Sequence, residues 1–187
     1  MPRGGAGAQG VSSAEAQAAV ANHPETTTDW RRFAALVGLV ALPVFVLDQL
    51  SKLYIVAHLR LFAEIDLIPH LFAITYTLNS GAAFSLFANM SPVVRDVLLD
   101  GLSGGAVLVL GYLLARGARP TTISFAFALI MGGAAGNLLD RVMRGRVVDF
   151  IYVHYYAWSY PVFNLADSAI TIGVAIILMH SIFARAD

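Results

Sequence analysis

Four apolar stretches, each close to the length of a membrane-crossing helix, dominate this sequence. A helix needs about 20 residues to cross the hydrocarbon core of a bilayer, and the stretches lie at about residues 33–57, 93–115, 120–139 and 166–184. The chain is 58% hydrophobic and only 13% charged, which is too apolar for an ordinary water-soluble domain. The sequence therefore predicts an α-helical integral membrane protein with four transmembrane helices.

The segment before the first stretch has a different composition. Residues 1–30 are rich in Ala, Gly, Ser, Thr and Gln and contain almost no large apolar side chain, so they cannot bury enough surface to offset the entropy lost on ordering. They also lack the apolar core of a cleavable signal peptide. We expect a disordered tail over residues 1–30, and one membrane domain over residues 31–187 whose first span is retained as an anchor.

Two long connections separate the spans, and both lie on one side of the membrane because the first and third spans run in parallel. Residues 59–90 intersperse apolar and polar side chains and contain Pro69 and Gly81, a pattern typical of short strands. Residues 141–165 contain a cluster of Tyr and Trp, which favour the headgroup region. We therefore predict a small β-cradle and an aromatic interfacial loop.

Charge and residue types argue against several classes of function. The formal net charge is +0, so the clustered positive charge that nucleic-acid binding needs is missing. There is no Cys, and His70, His154 and His180 are not spaced as a ligand set; we expect neither a metal site nor another cofactor. The serines lie in no Gly-x-Ser-x-Gly or Ser-x-x-Lys motif, which disfavours a serine peptidase.

Charged and amide side chains near the bilayer are costly unless they are paired or hydrated, so each one at the end of a span is a candidate site residue. Asp48 and Lys52 are four residues apart and share a helix face. They form either an ion pair that makes the helix end tolerable or part of a site that Asp48 helps to orient. Asn137 shares a face with Asp140 and Arg141, which indicates either a polar helix end with a local Asp–Arg bond or the support of a site.

Two other features have a structural interpretation. The small residues Gly-Gly-Ala-Ala-Gly at 132–136 let another backbone approach closely, so we expect a helix-packing face; no strand precedes them, as a phosphate-binding loop would require. Asp96 and Asp100, at the beginning of the second span, are expected to act as helix-start anions.

Asp149 and Asp167 are two further candidate site residues. Asp149 lies in an apolar, β-branched segment, and a salt bridge to a nearby arginine is the alternative to a functional role. Asn164 and Asp167 open the fourth span, where such residues commonly cap helices, so capping and function both remain open for Asp167. Asn79 and Gly81 lie in a predicted turn on the same side, where an Asn side chain is suited to holding a substrate backbone.

If Asp149 and Asp167 converge, the pair can hydrolyse a peptide bond. Repulsion between close carboxylates raises one pKa, so that the pair shares one proton. The base takes a proton from water, the water attacks the peptide carbonyl, and the acid polarises the carbonyl oxygen. This chemistry needs no covalent intermediate, metal or cofactor.

Four segments of the chain resemble lipoprotein signal peptidase, also called signal peptidase II, and the resemblance covers about residues 48–172. In chain order they are DQLSK at 48–52, NSGAAFS at 79–85, GNLLDR at 136–141 with VDF at 148–150, and FNLADS at 163–168. Any one of these segments is a weak signal. All of them in this order, across four spans, are highly specific.

The resemblance implies a membrane aspartyl endopeptidase with Asp149 and Asp167 as its catalytic pair. Other residues of the same segments are expected to line or support the site: Asp48, Lys52, Asn79, Gly81, Asn137, Asp140, Arg141 and Asn164. The implied substrate is a prolipoprotein whose lipobox cysteine already carries diacylglycerol, and the implied cleavage is just before that cysteine.

The resemblance also implies a location, which charge alone does not. Of the 12 Lys and Arg residues, half fall on each predicted side, so the positive-inside rule gives no preference. We expect a multi-pass monomer in the bacterial cytoplasmic (inner) membrane, in contact with membrane lipids, with cytoplasmic termini and an active site at the extracytoplasmic surface.

Two other classes of protein fit the sequence less well. A small transporter or channel would place polar residues near the middle of its spans, whereas here they gather at one end. A non-catalytic packing or assembly protein fits the Gly-rich third span but leaves Asp149 unexplained.

Overall fold

The computed structural model describes residues 30–81, 90–117, 121–156 and 158–184. Within these ranges four long helices are present: α1 (Trp30–His58), α2 (Pro92–Ala115), α3 (Thr121–Arg144) and α4 (Leu165–Phe183). Each is long and apolar enough to cross a membrane, in agreement with the four predicted spans. The predicted tail lies outside the described residues except for Trp30, which begins α1.

Local chemistry determines where the helices begin and end. α1 contains one π-helical turn at Val37–Ala41. The side chain of Ser91 caps α2 by accepting a hydrogen bond from the Val94 amide, and Pro92 occupies the first helical position, where its missing N–H costs nothing. The first turn of α2 contains no acid, so the expectation that Asp96 and Asp100 act as helix-start anions is wrong.

Helix α3 is the centre of the bundle and contacts each of the other three helices. Its small residues allow this: a Cβ atom added at Gly132 would lie 2.5 Å from the carbonyl oxygen of Ala41, and one at Gly133 would lie 2.5 Å from that of Ala166. The predicted packing face is thus confirmed. Two adjacent glycines in one turn of α3 contact different helices: Gly132 contacts α1 and Gly133 contacts α4. α3 extends to Arg144, beyond the predicted end near residue 139, so the charged residues that follow Asn137 lie on the helix.

The two long connections fold together into one four-stranded antiparallel sheet in the order β1-β2-β3-β4 among the described residues. Its strands are β1 (Glu64–Ile68), β2 (Phe72–Asn79), β3 (Val147–Tyr155) and β4 (Trp158–Ser159). Part of the segment predicted as an aromatic loop is therefore strand, because β3 pairs with β2 and β4 pairs with β3. The aromatic side chains at its end are nevertheless exposed, as an interfacial position requires: Tyr155, Tyr156, Trp158 and Tyr160.

Two sets of contacts join the sheet to the helices. On one side, Ile55 of α1 packs against Val148 and Phe150 of β3. On the other, the backbone of Phe163, just before α4, exchanges hydrogen bonds of 2.8 and 3.0 Å with Ile151. These backbone bonds bring the beginning of α4 beside β3.

We predict that Gly132→Ala and Gly133→Ala will each destabilise the protein, because the added methyl group would collide with a backbone carbonyl rather than with a flexible side chain. Overpacking of this kind costs about 1–3 kcal/mol, which exceeds the roughly 1 kcal/mol that Ala gains over Gly within a helix. Thermal unfolding in detergent measures the effect. Gly105→Ala in α2 is the matched control, since a Cβ there meets nothing within 4 Å; equal midpoints for all three variants would contradict the prediction.

Candidate active site

Asp149 lies on β3 with only 1% of its surface exposed. Each carboxylate oxygen accepts one amide hydrogen bond: Oδ1 from Asn164 Nδ2 at 2.6 Å and Oδ2 from Asn79 Nδ2 at 2.9 Å. The sequence left open a salt bridge from Asp149 to a nearby arginine. Among the described residues, Asp149 forms no salt bridge. Asp149 is thus a buried acid held by neutral donors.

Asp167 lies in the first turn of α4 and is half-buried. Its Oδ2 accepts a hydrogen bond of 3.3 Å from the backbone amide of Asn164, while the Asn164 side chain accepts one of 2.9 Å from the Asp167 amide. This reciprocal pair is a capping box, so the capping interpretation is correct as geometry. The capping box uses only one oxygen of the Asp167 carboxylate. The other oxygen, Oδ1, accepts a hydrogen bond of 2.7 Å from Asn137 Nδ2.

The three asparagines of the site are each oriented by a partner that can only donate. A donor-only group must face the amide oxygen, so the NH₂ end of each side chain is turned towards a carboxylate. The bonds to the amide oxygens are Gly81 N to Asn79 at 2.7 Å, Lys52 Nζ to Asn137 at 3.0 Å, and Asp167 N to Asn164 at 2.9 Å. Asn164 is shared, since it contacts both Asp149 and Asp167.

Lys52 is the centre of the supporting network and has no exposed surface. Its three ammonium hydrogens have three acceptors: Asp48 Oδ2 at 2.8 Å, Asp140 Oδ2 at 2.9 Å and Asn137 Oδ1 at 3.0 Å. The predicted Asp48–Lys52 pair is present, but it is part of a larger cluster. The other oxygen of Asp48 accepts a bond of 2.9 Å from the Ala166 amide, which attaches α1 to the start of α4.

The local Asp140–Arg141 bond considered from the sequence does not form. Asp140 instead pairs with Lys52 and Arg144, and it accepts a hydrogen bond of 3.1 Å from the Val148 amide of β3. Arg141 points to α2, where it donates to Ser103 Oγ at 2.9 Å and lies 3.9 Å from Asp100. Ser103 was not among the residues predicted from the sequence, because no sequence pattern links residues that are 38 positions apart.

Of the NSGAAFS segment at 79–85, the structure describes only residues 79–81. Asn79 ends β2 and Gly81 follows it with a φ of +83°, a left-handed conformation that favours glycine. A Cβ at Gly81 would also collide with Leu99 of α2. Residues 82–85 lie outside the described residues.

Burial and charge act together on Asp149. Burial raises the pKa of its carboxyl group from the usual 3.8 to about 7, and the negative charge of Asp167 adds to the increase, while the hydrogen bonds from Asn79 and Asn164 oppose it. A carboxyl group with a pKa near 7 can both hold and release a proton at neutral pH. Two adjacent acids of which one keeps its proton are suited to general acid–base chemistry.

A cavity of about 270 Å³ lies beside the start of α4, and Asp167 is part of its lining. The rest of the lining is formed by Ser168, Thr171, Tyr160, Phe163 and Ile172. The mainly apolar lining lowers the local polarity beside Asp167, which strengthens electrostatic interactions there.

The comparisons with known proteins identify one family. The family model for signal peptidase (SPase) II matches residues 40–183. Lipoprotein signal peptidase from Pseudomonas fluorescens is 44% identical over 151 residues, covering 79% of this chain and 88% of that protein. Its counterpart from Desulforapulum autotrophicum is 40% identical over 148 residues, covering 79% and 91%.

Two solved structures have a similar fold. A bacterial membrane enzyme determined by the in meso method at 2.3 Å resolution superposes with a TM-score of 0.70 at 30% identity, covering 79% of this chain and 87% of that one. A second bacterial membrane enzyme, at 1.9 Å resolution, gives a TM-score of 0.65 at 32% identity, covering 75% and 88%. Because the family match begins before Asp48 and ends beyond Asp167, the chain belongs to the signal peptidase II family of aspartic peptidases.

Proposed function

We propose that this chain removes the signal peptide from diacylglyceryl-modified prolipoproteins by cutting just before the lipidated cysteine, with Asp149 and Asp167 as its catalytic pair. One observation carries the proposal: Asn164 forms hydrogen bonds with two carboxylates, and one of these, Asp167, lines a mainly apolar cavity. Membership of the signal peptidase II family supports the substrate class. The direct test is to incubate the purified protein with a diacylglyceryl-modified prolipoprotein and measure the released signal peptide.

The two acids divide the work of hydrolysis. Asp167, half-buried beside the cavity, takes a proton from water as the water oxygen attacks the scissile carbonyl carbon. Asp149, which keeps a proton because its pKa is raised to about 7, donates it to the carbonyl oxygen. The tetrahedral intermediate then collapses; the cysteine amine leaves with the proton held by Asp167, and Asp149 recovers its own. Water is consumed, and no group outside the chain is required.

The remaining candidate residues position the pair. Asn79, Asn137 and Asn164 donate to the carboxylates from fixed directions, and Gly81 and Lys52 set two of those directions. Asp48 and Asp140 neutralise Lys52 and attach α1 and α3 to their neighbours. Arg141, anchored on α2 by Ser103, keeps a further cation close to the site for contact with the substrate.

A membrane substrate fits the surroundings of the pair. A signal peptide is itself an apolar helix, and it can remain in the bilayer beside α4 while its end enters the cavity. The diacylglyceryl chains stay among the membrane lipids, because the exposed aromatic side chains of the sheet favour the interface. One copy of the chain supplies both acids, so we propose that the enzyme acts as a monomer, with residues 31–187 as its membrane domain and residues 1–30 as a tail.

The proposed orientation places the termini in the cytoplasm and the catalytic pair at the outer surface of the inner membrane. An even number of spans puts both termini on one side. The sheet and the acids are at the other end of the helices, where an exported prolipoprotein presents its cleavage site.

We predict that Asp149→Asn and Asp167→Asn will each abolish cleavage, because Asn keeps the size and most hydrogen bonds of Asp but cannot exchange a proton. Loss of general acid–base catalysis costs about 10²–10⁴-fold. The double variant should be scarcely slower than either single variant, since residues that act as a unit are not additive. The measurement is the cleavage rate at matched amounts of folded protein.

Asp96→Asn is the matched control for these variants, since Asp96 pairs with Arg95 and its side chain is 49% exposed; it should keep its activity. The Asp167→Asn variant separates capping from catalysis, because an amide oxygen can still accept the Asn164 amide bond of the capping box. Near-normal turnover of that variant would reduce Asp167 to a helix cap and remove the mechanism.

We predict that the cleavage rate falls as the pH rises through about 7, because Asp149 then loses its proton and the pair no longer contains an acid. Asp167→Asn should lower the pKa of Asp149, since the charge of Asp167 helps to raise it, but should not restore the usual 3.8, since burial is the larger cause. Carboxyl-¹³C NMR of labelled Asp149 measures both values. An Asp149 that titrates at its usual value in the parent protein would rule out this assignment of the acid.

We predict that Ser159→Cys and Ala184→Cys will react on opposite sides of the membrane. The chain contains no Cys and both positions are exposed, so labelling of intact cells by an impermeant maleimide has no background from the protein itself. The Ser159→Cys variant should be labelled in intact cells, and the Ala184→Cys variant only after permeabilisation. The reverse pattern would show that the proposed orientation is inverted.

A further inference from the structure

A second group of ionisable side chains lies on the sheet, away from the catalytic pair. Glu64 and Asp66 on β1 and His154 on β3 each place one ligand atom so that all three lie within 4.8 Å of one another. His154 follows Asp149 by five residues on the same strand, which separates the two by about 16 Å at about 3.3 Å per residue. The proposed hydrolysis does not use this group.

The pairing of the strands explains why these side chains meet. Asp66 lies opposite Ala73, and Ala73 lies opposite Tyr152, so all three side chains are on one face of the sheet. Glu64 and His154 are two residues from Asp66 and Tyr152 along their strands and share that face. Ala73 is fully buried and offers only a methyl group, so His154 Nε2 and Asp66 Oδ1 approach to 3.9 Å across β2.

The ring nitrogen of His154 is buried without a partner. Nε2 has no exposed surface and no hydrogen bond among the described residues, and 3.9 Å to Asp66 is too long for one. Stacking on Tyr152, with ring centroids 4.8 Å apart and planes 18° from parallel, holds the imidazole in this orientation. An unsatisfied buried nitrogen is costly, which indicates a missing partner at this position.

The negative charges of Glu64 and Asp66 are not balanced by a nearby Lys or Arg among the described residues. Glu64 and Asp66 carry like charges on the same face of an edge strand. Within the described ranges, no Lys or Arg forms a salt bridge with either acid. A cation between the two strands would neutralise both acids and accept the lone pair of the imidazole at once.

We propose that Glu64, Asp66 and His154 bind a divalent transition-metal cation, with Zn²⁺ as the best match. Imidazole favours zinc over magnesium and calcium, and carboxylate oxygens complete the set at bond lengths of about 2.0–2.2 Å. Tetrahedral bonds of that length put ligand atoms roughly 3.4 Å apart. The ligand atoms lie within 4.8 Å of one another, so the exposed side chains of Glu64 and Asp66 need to close by at most about 1.4 Å. Water fills the fourth position. The cation links β1 to β3 across β2 and stabilises the cradle.

The experiment uses the full chain in detergent, with any polyhistidine tag removed, treated with a chelator and then freed of it. Isothermal titration with ZnCl₂ should show one equivalent bound, and the unfolding temperature should rise with zinc, because a ligand that binds only the folded state stabilises it. Asp66→Asn and His154→Gln should each weaken zinc binding by more than about tenfold, since loss of even a supporting partner costs about 10–100-fold. Asp96→Asn is the control and should bind normally.

His154→Lys distinguishes the cation site from a simple ion pair. Lysine at this position keeps a positive partner for Asp66 but cannot complete the ligand set, so the variant should show no effect of zinc on its unfolding temperature. Absence of zinc binding by the parent protein would overturn the proposal. Binding that survives Asp66→Asn and His154→Gln would overturn it as well, because the cation would then lie elsewhere.

This inference does not depend on the proposed function. Zinc binding should be normal in Asp149→Asn, while Asp66→Asn should still cleave a prolipoprotein in the presence of a chelator. Failure of either proposal is therefore visible without the other.

Discussion

The buried ammonium group of Lys52 is the interaction on which the rest of the structure depends. A fully buried cation at the end of a membrane span is tolerable only when all its hydrogens are bonded, and here two carboxylates and one amide oxygen supply the acceptors. Each acceptor reaches further. Asp48 holds the start of α4 through the Ala166 amide, and Asp140 holds β3 through the Val148 amide. One charge thus joins three helices and the sheet.

The proposed catalytic pair, Asp149 and Asp167, accepts hydrogen bonds from amides and not from cations among the described residues, and the chemistry explains why. A Lys or Arg in direct contact with both acids would favour the ionised form of each, and the pair would then lose the proton that the acid must donate. Asparagine NH₂ groups fix the carboxylates without adding charge. Lys52 acts indirectly, because it orients Asn137, which in turn donates to Asp167. The network is thereby held in place while Asp149 keeps a pKa of about 7.

Backbone contacts supply the precision that side chains alone would not. The glycines of α3 let the backbones of α1 and α4 approach it closely, and the polar cluster of Asp48, Lys52 and Asp140 is fully buried. The bridge between Ile151 and Phe163 places β3 beside the first turn of α4, so Asp149 on a strand meets Asp167 on a helix. The same sheet brings His154 next to two acids of β1. The sheet therefore positions two groups of ionisable residues: Asp149 beside α4, and His154 with Glu64 and Asp66.

The sequence by itself determined what depends on short-range periodicity and composition: four spans, the Asp48–Lys52 pair one helical turn apart, and the polar start of α4. Those patterns follow from fixed backbone geometry. Even there, alternatives stayed open, since capping and catalysis use the same residue at Asp167. Only the tertiary structure decided that Asp140 joins Lys52, that Arg141 reaches Ser103, and that β3 is a strand. The physical reason is that contacts between residues 38 to 118 positions apart depend on how helices and strands pack, which no local spacing encodes.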